Sequence, residues 1–273
     1  VSSGSSSAGS KPVSVAVTGA GGRMGREVIR AATARDDAAV GLAVNRSEVG
    51  EIEGVAVERA ADLPDLLAAR EPDALVDFTG PDSSVEYVAA CAEAGVPAVV
   101  GTTGFDHGGT AALREAAAEI PVLKAANFAR GVAALRRAVR EAVTALPGYD
   151  VELTETHHNG KRDAPSGTAK SLLDDVEDAL AGSETGGRDA DLVHGREGDR
   201  PRRRGEIGVH ARRAGDITGE HEVLVAGDHE LLSLTHRAES RGVFAEGALD
   251  AAAWVVGREA GEYDFFDVIG DSP

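Results

Sequence analysis

Short runs of β-branched residues alternate with stretches of helical spacing through the first half of the chain. VSVAVT at 13–18 is followed by GAGGRMG and then by REVIRAATA, in which Met24, Val28 and Ala32 fall on one helical face. That order reads strand, tight turn, helix. Further apolar runs at 40–44, 74–78, 97–100 and 122–123 predict strands, and 63–69, 83–94 and 109–119 predict the helices between them. Strands that are short and apolar throughout, separated by helices, predict a parallel sheet covered on both faces. The first half is expected to be α/β.

Past residue 127 the rhythm changes. A helix is predicted over 132–145, ending at Leu146-Pro147-Gly148, and 150–156 alternates as a strand. A long helix over 168–180 and a polar, glycine-rich loop lead to extended segments at 206–213, 220–226 and 230–236. Gly227-Asp228 is a hairpin signal between the last two. Strands joined in this way predict an α+β second domain with an antiparallel or mixed sheet. The apolar stretch 244–256 has helical spacing and is expected to return to the first domain.

Charge narrows the function classes. Lys plus Arg number 28 against 46 Asp plus Glu in 273 residues, a formal net charge of −18. Such a surface repels phosphodiester backbones and acidic lipid, so neither nucleic acid nor a membrane is an expected partner. Only four of the cations are lysines, Lys11, Lys124, Lys161 and Lys170. A salt-rich cytoplasm is one explanation of the excess, because the Debye length falls to roughly 3 Å at about 1 M salt and carboxylate repulsion then largely vanishes. Cys91 is the single cysteine, so no internal disulfide is available and a cytoplasmic location is expected. It follows Val88 by three residues on an apolar helical face, as a small core residue would. No apolar run approaches the roughly 20 residues of a membrane helix, and the opening VSSGSSSAGS has neither the cationic start nor the apolar centre of a leader. Its Ser and Gly content predicts a disordered tail over 1–11.

The GAGGRMG turn lies directly after a strand and directly before a helix, the context in which a glycine turn holds a dinucleotide. Gly19 permits the tight turn, and Gly21 and Gly22 leave room for pyrophosphate against backbone N–H groups at the positive end of the helix. The third spaced glycine, Gly25, comes one residue later than in GxGxxG, a departure from the strict NAD pattern. At the end of the second strand, where an acidic residue normally accepts from ribose hydroxyls, stand Asn45 and Arg46. A neutral amide beside a guanidinium tolerates or pairs with a 2′-phosphate, which opens the site to NADPH as well as NADH. The alternative is that Arg46 is an ordinary solvated arginine. Two further loops at the carboxyl ends of predicted strands, Gly101-Thr102-Thr103-Gly104 and Ala125-Ala126-Asn127-Phe128, are placed to hold the ribose and the nicotinamide amide.

The densest chemistry is ETHHNGKRDAPSGT at 155–168, which joins two imidazoles, two cations and a helix start. Adjacent histidines on extended backbone point opposite ways and no cysteine is near, so no metal site is expected. An anion site fits better. Ser166, Gly167 and Thr168 precede a helix whose free N–H groups face any carboxylate there, with Lys161 and a histidine adding positive charge. Ser166 or Thr168 also serves as an ordinary helix cap.

Together, GAGGRMG, DFT at 77–79, GTTGF at 101–105, AANF at 125–128, ETHHNGKRDAPSGTA at 155–169, GREG at 195–198 and RAGDITGEH at 213–221 resemble the dihydrodipicolinate reductase family. The resemblance runs from residue 13 to the end, and the net charge suggests a halophilic member. It implies an NAD(P)H-dependent oxidoreductase that reduces 4-hydroxy-tetrahydrodipicolinate, or its dehydrated form, to tetrahydrodipicolinate on the diaminopimelate route to lysine. It further implies a Rossmann-like dinucleotide-binding domain over 12–128 plus 241–273, and a substrate-binding and tetramerisation domain over 129–240 whose sheet builds a homotetramer. By motif, Gly19, Ala20, Gly21, Gly22, Arg23 and Met24 bind pyrophosphate, and Asn45 and Arg46 read the adenosine ribose. Gly101, Thr102 and Thr103 with Ala125, Ala126, Asn127 and Phe128 hold the nicotinamide side. His157 corresponds to the proton donor and acceptor, Lys161 to a second donor, and His158, Gly167 and Thr168 to contacts with the small dicarboxylate substrate. Ala129-Arg130 departs from the small polar and apolar pair of bacterial members, and Arg130 is either a new anion contact or a surface change.

The chemistry agrees with these residues. Hydride added to a conjugated system leaves electron density that a group titrating near neutrality must quench, which suits His157. Lys161, among carboxylates, is expected chiefly to stabilise charge. Arg196 and Arg241 lie near matched motifs as candidate partners of substrate carboxylates. RPRRR at 200–204 is a brief loop tract on an anionic chain, expected to be solvated or intersubunit rather than nucleic-acid binding. Two competing readings stand: another two-domain NAD(P)-dependent dehydrogenase, which leaves the His-His-Lys cluster unexplained, and a non-catalytic nucleotide-sensing module, which needs no proton donor.

Overall fold

In the computed structural model, which describes residues 11–182 and 190–270, the chain folds as two compact units. One runs to Phe128 and resumes at Phe244; the other is Ala129–Val243. The tail expected over 1–11 lies, up to residue 10, outside the described residues.

In the first unit β1 (Val13–Thr18) leads through the glycine turn to α1 (Arg23–Thr33) and β2 (Ala38–Asn45). A small hairpin, β3 (Glu51–Ile52) with β4 (Val55–Ala56), and the short β5 (Glu58–Arg59) follow. Then come α2 (Leu63–Arg70), β6 (Ala74–Asp77), α3 (Pro81–Ala94), β7 (Ala98–Val100), α4 (His107–Ala117) and β8 (Pro121–Lys124). The second unit contains α5 (Arg130–Ala145), β9 (Asp150–His157), α6 (Gly167–Ala181), β10 (Asp191–His194), β11 (Glu206–Arg213), β12 (Gly219–Ala226) and β13 (Leu231–Ala238). The chain closes with α7 (Gly242–Val255), β14 (Gly261–Tyr263) and α8 (Phe265–Gly270).

The sheet of the first unit has seven strands in the order β14-β8-β7-β6-β1-β2-β5, and every pairing is parallel. From β1 the chain first works outward through β2 and β5, then resumes on the other side at β6. The β1/β6 boundary is therefore the topological switch point, where the carboxyl ends of the strands leave a crevice for ligand. Leu63 and Leu67 of α2, Val88 and Cys91 of α3 and Leu113 of α4 pack with Leu42, Leu75, Val100 and Val122 of the sheet. Burial pushes the Cys91 thiol well above its ordinary range, as befits a core residue. Pro81 opens α3 and Gly95, at φ +69°, ends it, so each residue sits where its backbone restriction or freedom is needed. α7 runs so close to the chain at Phe128 that a Cβ on Gly247 would stand 1.8 Å from the Phe128 carbonyl oxygen.

The sheet of the second unit is mixed, in the order β10-β11-β9-β12-β13. β10, β11 and β9 are mutually parallel, and β12 runs antiparallel to both β9 and β13. Gly227 N–H donates to the Glu230 carbonyl at 2.9 Å, closing the β12–β13 hairpin. Val151, Leu153, Val223 and Val225 pack against Leu135 and Val139 of α5 and Leu172 and Val176 of α6. Asp175 of α6, wholly buried, pairs with Arg136 at 2.5 Å and with Arg140, both on α5, so the two helices share an internal ion cluster.

Candidate active site

Gly19 adopts φ +59°, and a Cβ there would meet Thr79 Cγ2 at 2.6 Å. A Cβ on Gly25, in α1, would meet the Gly19 carbonyl oxygen at 2.3 Å and Ala20 Cα at 2.8 Å. Close packing of helix on turn is the task of the third glycine in a dinucleotide motif, and here it is done one residue later. The turn is thus packed too closely against its own helix and neighbours to carry side chains at Gly19 and Gly25, and this bare-backbone geometry fits a pyrophosphate. Its donors differ from those the sequence suggests. Gly21 N–H donates to Asn45 Oδ1 at 3.2 Å and Gly22 N–H to the Gly19 carbonyl at 2.8 Å, so both brace the turn itself. The backbone donors left by helix geometry are those of Arg23, Met24 and Gly25 in the first turn of α1, beside the exposed Arg23 side chain. Ala20 is fully buried. Asn45 also donates to Ser47, at 2.8 Å to its carbonyl, so the residue expected at the ribose holds the glycine turn in shape; Arg46 beside it is exposed.

At the switch point lies a carboxylate whose role no local motif shows. Asp77, at the end of β6, is wholly buried. Its Oδ1 accepts from Thr18 Oγ1 at 2.6 Å and Thr79 Oγ1 at 2.7 Å; its Oδ2 accepts from Thr102 Oγ1 at 2.9 Å and from Ser84. One group ties together the ends of β1 and β6, the start of α3 and the GTTG loop. Thr103 and Gly104 are exposed, whereas Gly101 lies under the Phe78 ring. In the fourth loop Ala126 is exposed and Ala125 and Asn127 are half-buried. Phe128 is buried and stacks edge-on with Phe78 and Phe265 at 5.6 and 5.3 Å, so its ring belongs to the core.

In the second unit Glu155 and His157 share one face of β9, because side chains two apart on a strand point the same way. His157 Nδ1 is hydrogen-bonded to Glu155 Oε2. Arg213 of β11 donates to both oxygens of Glu155, at 3.0 and 2.7 Å, and to the Asp163 carbonyl at 2.6 Å. Ser166 N–H donates to the same carboxylate at 3.3 Å. Ser166 caps α6, its Oγ accepting from Ala169 N–H at 3.2 Å, and lies 3.0 Å from His221 Nε2. Gly167 is exposed at the first position of α6, and buried Thr168 follows it, at the positive end of the helix. Lys161 Nζ stands 2.8 Å from Asp163 Oδ1. His158 is half-buried with its ring beside Gly160.

Burial is the largest influence on His157 and lowers its pKa. The Glu155 hydrogen bond and charge oppose this while Lys161 and Arg213 add to it, and the imidazole ends below its ordinary value, neutral at pH 7. For Glu155 burial works upward, but Arg213 and His157 prevail and hold it below the usual carboxylate range. Asp163 is likewise lowered, Lys161 outweighing burial. His221, deeply buried, is pushed down to about 4. The cluster thus offers a neutral imidazole able to take or return a proton, an ammonium, and a helix start that attracts carboxylates. Among the described residues no group of three or more His, Cys, Asp or Glu is arranged to hold a metal, and no helix is long and apolar enough to cross a membrane.

Arg196 is turned to the sheet rather than to a carboxylate ligand, 2.9 Å from Glu206 and 3.5 Å from Glu152. Arg202 of the RPRRR tract folds back likewise, 2.9 Å from Asp150 and paired with Glu152. Arg241 is half-buried just before α7, and Arg130 is exposed at the first position of α5.

The sequence matches the family models for the N-terminus of dihydrodipicolinate reductase over residues 13–128 and for its C-terminus over residues 131–269. A 4-hydroxy-tetrahydrodipicolinate reductase of Natronomonas pharaonis is 53% identical over 94% of this chain and 100% of its own length. One of Haloarcula marismortui is 51% identical over 93% of this chain and 98% of its own. A dipicolinate-bound dihydrodipicolinate reductase from Paenisporosarcina sp. TG-14 has the same fold, with a TM-score of 0.74 at 24% identity over 93% of this chain and 97% of that one. With both halves of the chain matched and relatives of this identity along its length, the protein belongs to the dihydrodipicolinate reductase family.

Proposed function

We propose that the protein reduces 4-hydroxy-tetrahydrodipicolinate to tetrahydrodipicolinate with NADPH or NADH, in the cytoplasm and in the diaminopimelate route to lysine. The observation that carries this reading is the Glu155–His157–Ser166 constellation, which joins a proton-transfer group to an anion-seeking helix start in a chain of this family. Hydride cannot directly displace hydroxide from a saturated carbon, so water leaves first by elimination and the conjugated product is then reduced. Bound reduced nicotinamide supplies the hydride. The turn of Gly19, Ala20, Gly21 and Gly22 with the first turn of α1 at Arg23 and Met24 holds its pyrophosphate, and Asn45 and Arg46 border its adenosine ribose. Gly101, Thr102 and Thr103 and the loop from Ala125 to Phe128 hold the nicotinamide side.

The dicarboxylate sits at the start of α6 on Gly167 and Thr168, with His158 and Lys161 adding polar and charged contacts. Neutral His157 takes the proton beside the departing hydroxyl, and Lys161 supplies the proton that makes it water. After hydride addition the imidazolium returns its proton to the same carbon. One hydride and one proton enter and one water leaves. Residues 12–128 plus 241–273 form the dinucleotide domain and 129–240 the substrate domain. The resemblance to the family assigns the second sheet to assembly as a homotetramer.

The test is NADPH or NADH absorbance after addition of 4-hydroxy-tetrahydrodipicolinate made in place from aspartate semialdehyde and pyruvate. Stoichiometric oxidation is expected. Folded protein that binds nucleotide yet oxidises neither coenzyme would overturn the reading in favour of nucleotide sensing. Light scattering that gives a monomer at all concentrations would remove the tetramer.

A further inference from the structure

We infer that Glu155 is the positioning residue of the proton transfer: it locks His157 with the proton on Nδ1, so that Nε2 is the atom that exchanges a proton with substrate, and Arg213 holds Glu155 to that task. The inference rests on the reaction proposed above for its consequence, but its geometry stands independently.

A carboxylate that is wholly buried must have its charge and lone pairs matched. Arg213 does most of this, its two terminal nitrogens each meeting one oxygen of Glu155. Arg213 is itself fixed by the carbonyls of Asp163 and Arg212, so it cannot swing toward substrate without releasing three partners. Glu155 therefore stays ionised when His157 is neutral, and an ionised carboxylate only accepts. The nitrogen facing it must carry a hydrogen. In the neutral ring that leaves the lone pair on Nε2, and in the imidazolium it leaves the transferable proton there.

The strand opposite keeps that atom approachable. A Cβ on Gly219 of β12 would stand 3.2 Å from His157 Nε2, so the bare backbone leaves room where a side chain would crowd the exchanging nitrogen. The same carboxylate accepts from Ser166 N–H, which fixes the start of α6 and the imidazole to one anchor. The charged and titratable groups around His157 are Glu155 on its own strand, Arg213 on β11, Lys161 in the following loop and His221 on β12. Glu155 is the single anion among them, and it alone raises the proton affinity of the ring. In the transfer the Nε2–H bond breaks, its electron pair stays on nitrogen, and a C–H bond forms on the substrate carbon holding the pair left by hydride addition.

The test begins with the unaltered, ligand-free protein labelled with 15N-histidine, His157 being assigned by its loss in His157→Gln. Two-bond 1H–15N correlations are expected to show neutral His157 protonated on Nδ1. The opposite tautomer would overturn the inference, whether or not the protein turns over substrate. A wild-type protein with this tautomer and no reductase activity would instead overturn the proposed reaction. In Glu155→Gln the Nδ1–H form is expected to lose its dominance, kcat to fall by about 10²-fold, within the range a positioned proton donor contributes, and the acid limb of kcat to move to lower pH. A wild-type tautomer and pH profile in that variant would sink the assignment. Should Glu155→Gln not fold, Gly219→Ala decides with the tautomer: kcat is expected to fall with Nδ1–H retained, and an unchanged kcat would remove Nε2 as the exchanging atom.

Discussion

Thr102 Oγ1 donates to Asp77 Oδ2 at 2.9 Å, joining the loop after β7 to the buried end of β6. Thr18, Thr79 and Ser84 converge on the same carboxylate, so the shape of the switch-point crevice depends on one side chain. In Asp77→Asn the amide nitrogen faces hydroxyls that were all donating, and at least one bond to a charged acceptor is lost. The expected cost is about 1.5–3 kcal/mol of stability, together with weaker nucleotide binding. Urea unfolding and nucleotide titration read both, and a variant unchanged in each would deny Asp77 this role.

Gly25→Ala tests whether the late third glycine is the one that counts. The added methyl points at backbone atoms, which cannot swing aside. Overpacking of this kind costs about 1–3 kcal/mol, and here it also lifts α1 from the turn. The dissociation constant for NADPH should rise well beyond the effect of Gly22→Ala, whose Cβ would meet the Gly19 carbonyl oxygen only at 3.1 Å. Equal effects would show that the spacing carries no special weight.

His157→Gln removes proton transfer while keeping a polar side chain at the end of β9. Turnover should drop by about 10²- to 10⁴-fold with KM little changed. Lys161→Ala should impair both parameters, since the ammonium holds substrate charge as well as supplying a proton. Steady-state kinetics separate the two patterns, and undiminished turnover in His157→Gln contradicts the mechanism.

His221 makes stability fall in acid. Its pKa is about 4 in the fold, chiefly through burial, against 6.5 as the ordinary value. The unfolded chain therefore binds this proton more tightly. The contribution is complete above pH 6.5 and is lost as pH falls toward 4, by about 3 kcal/mol. His157 and His236 are lowered as well and act in the same direction. Denaturation midpoints followed from neutral pH downward should slope less in His221→Asn than in wild type; parallel curves would contradict the assignment.

The charge of −18 predicts a response to salt. Moving from about 0.1 M to 1 M KCl shortens the Debye length from roughly 10 to 3 Å and screens repulsion among surface carboxylates. The melting temperature should rise with KCl. Equal melting in dilute buffer and molar salt would show that the acidic surface is not under strain.

Local pattern carried a large share of this protein. Chain order, alternation and helical spacing were enough for the parallel sheet, the glycine turn after β1 and the helix after Ser166, which opens at Gly167, one residue before the expected start, because these depend on residues close in sequence. Some short strands were not legible: β5, β10 and β14 span two to four residues, lack the β-branched run that marks β7, and exist because a neighbouring strand offers hydrogen bonds. The two-residue spacing of Glu155 and His157 puts both on one face of β9, which reaches His157, one residue past the strand expected over 150–156. The Arg213 that completes them stands 58 residues from Glu155 and is brought there only by the parallel pairing of β11 with β9. Asp77 is similar, since three of its four donors lie on other elements. A buried charge must be satisfied by whatever the fold brings near, and that is a property of the packed sheets, which no stretch of sequence holds alone.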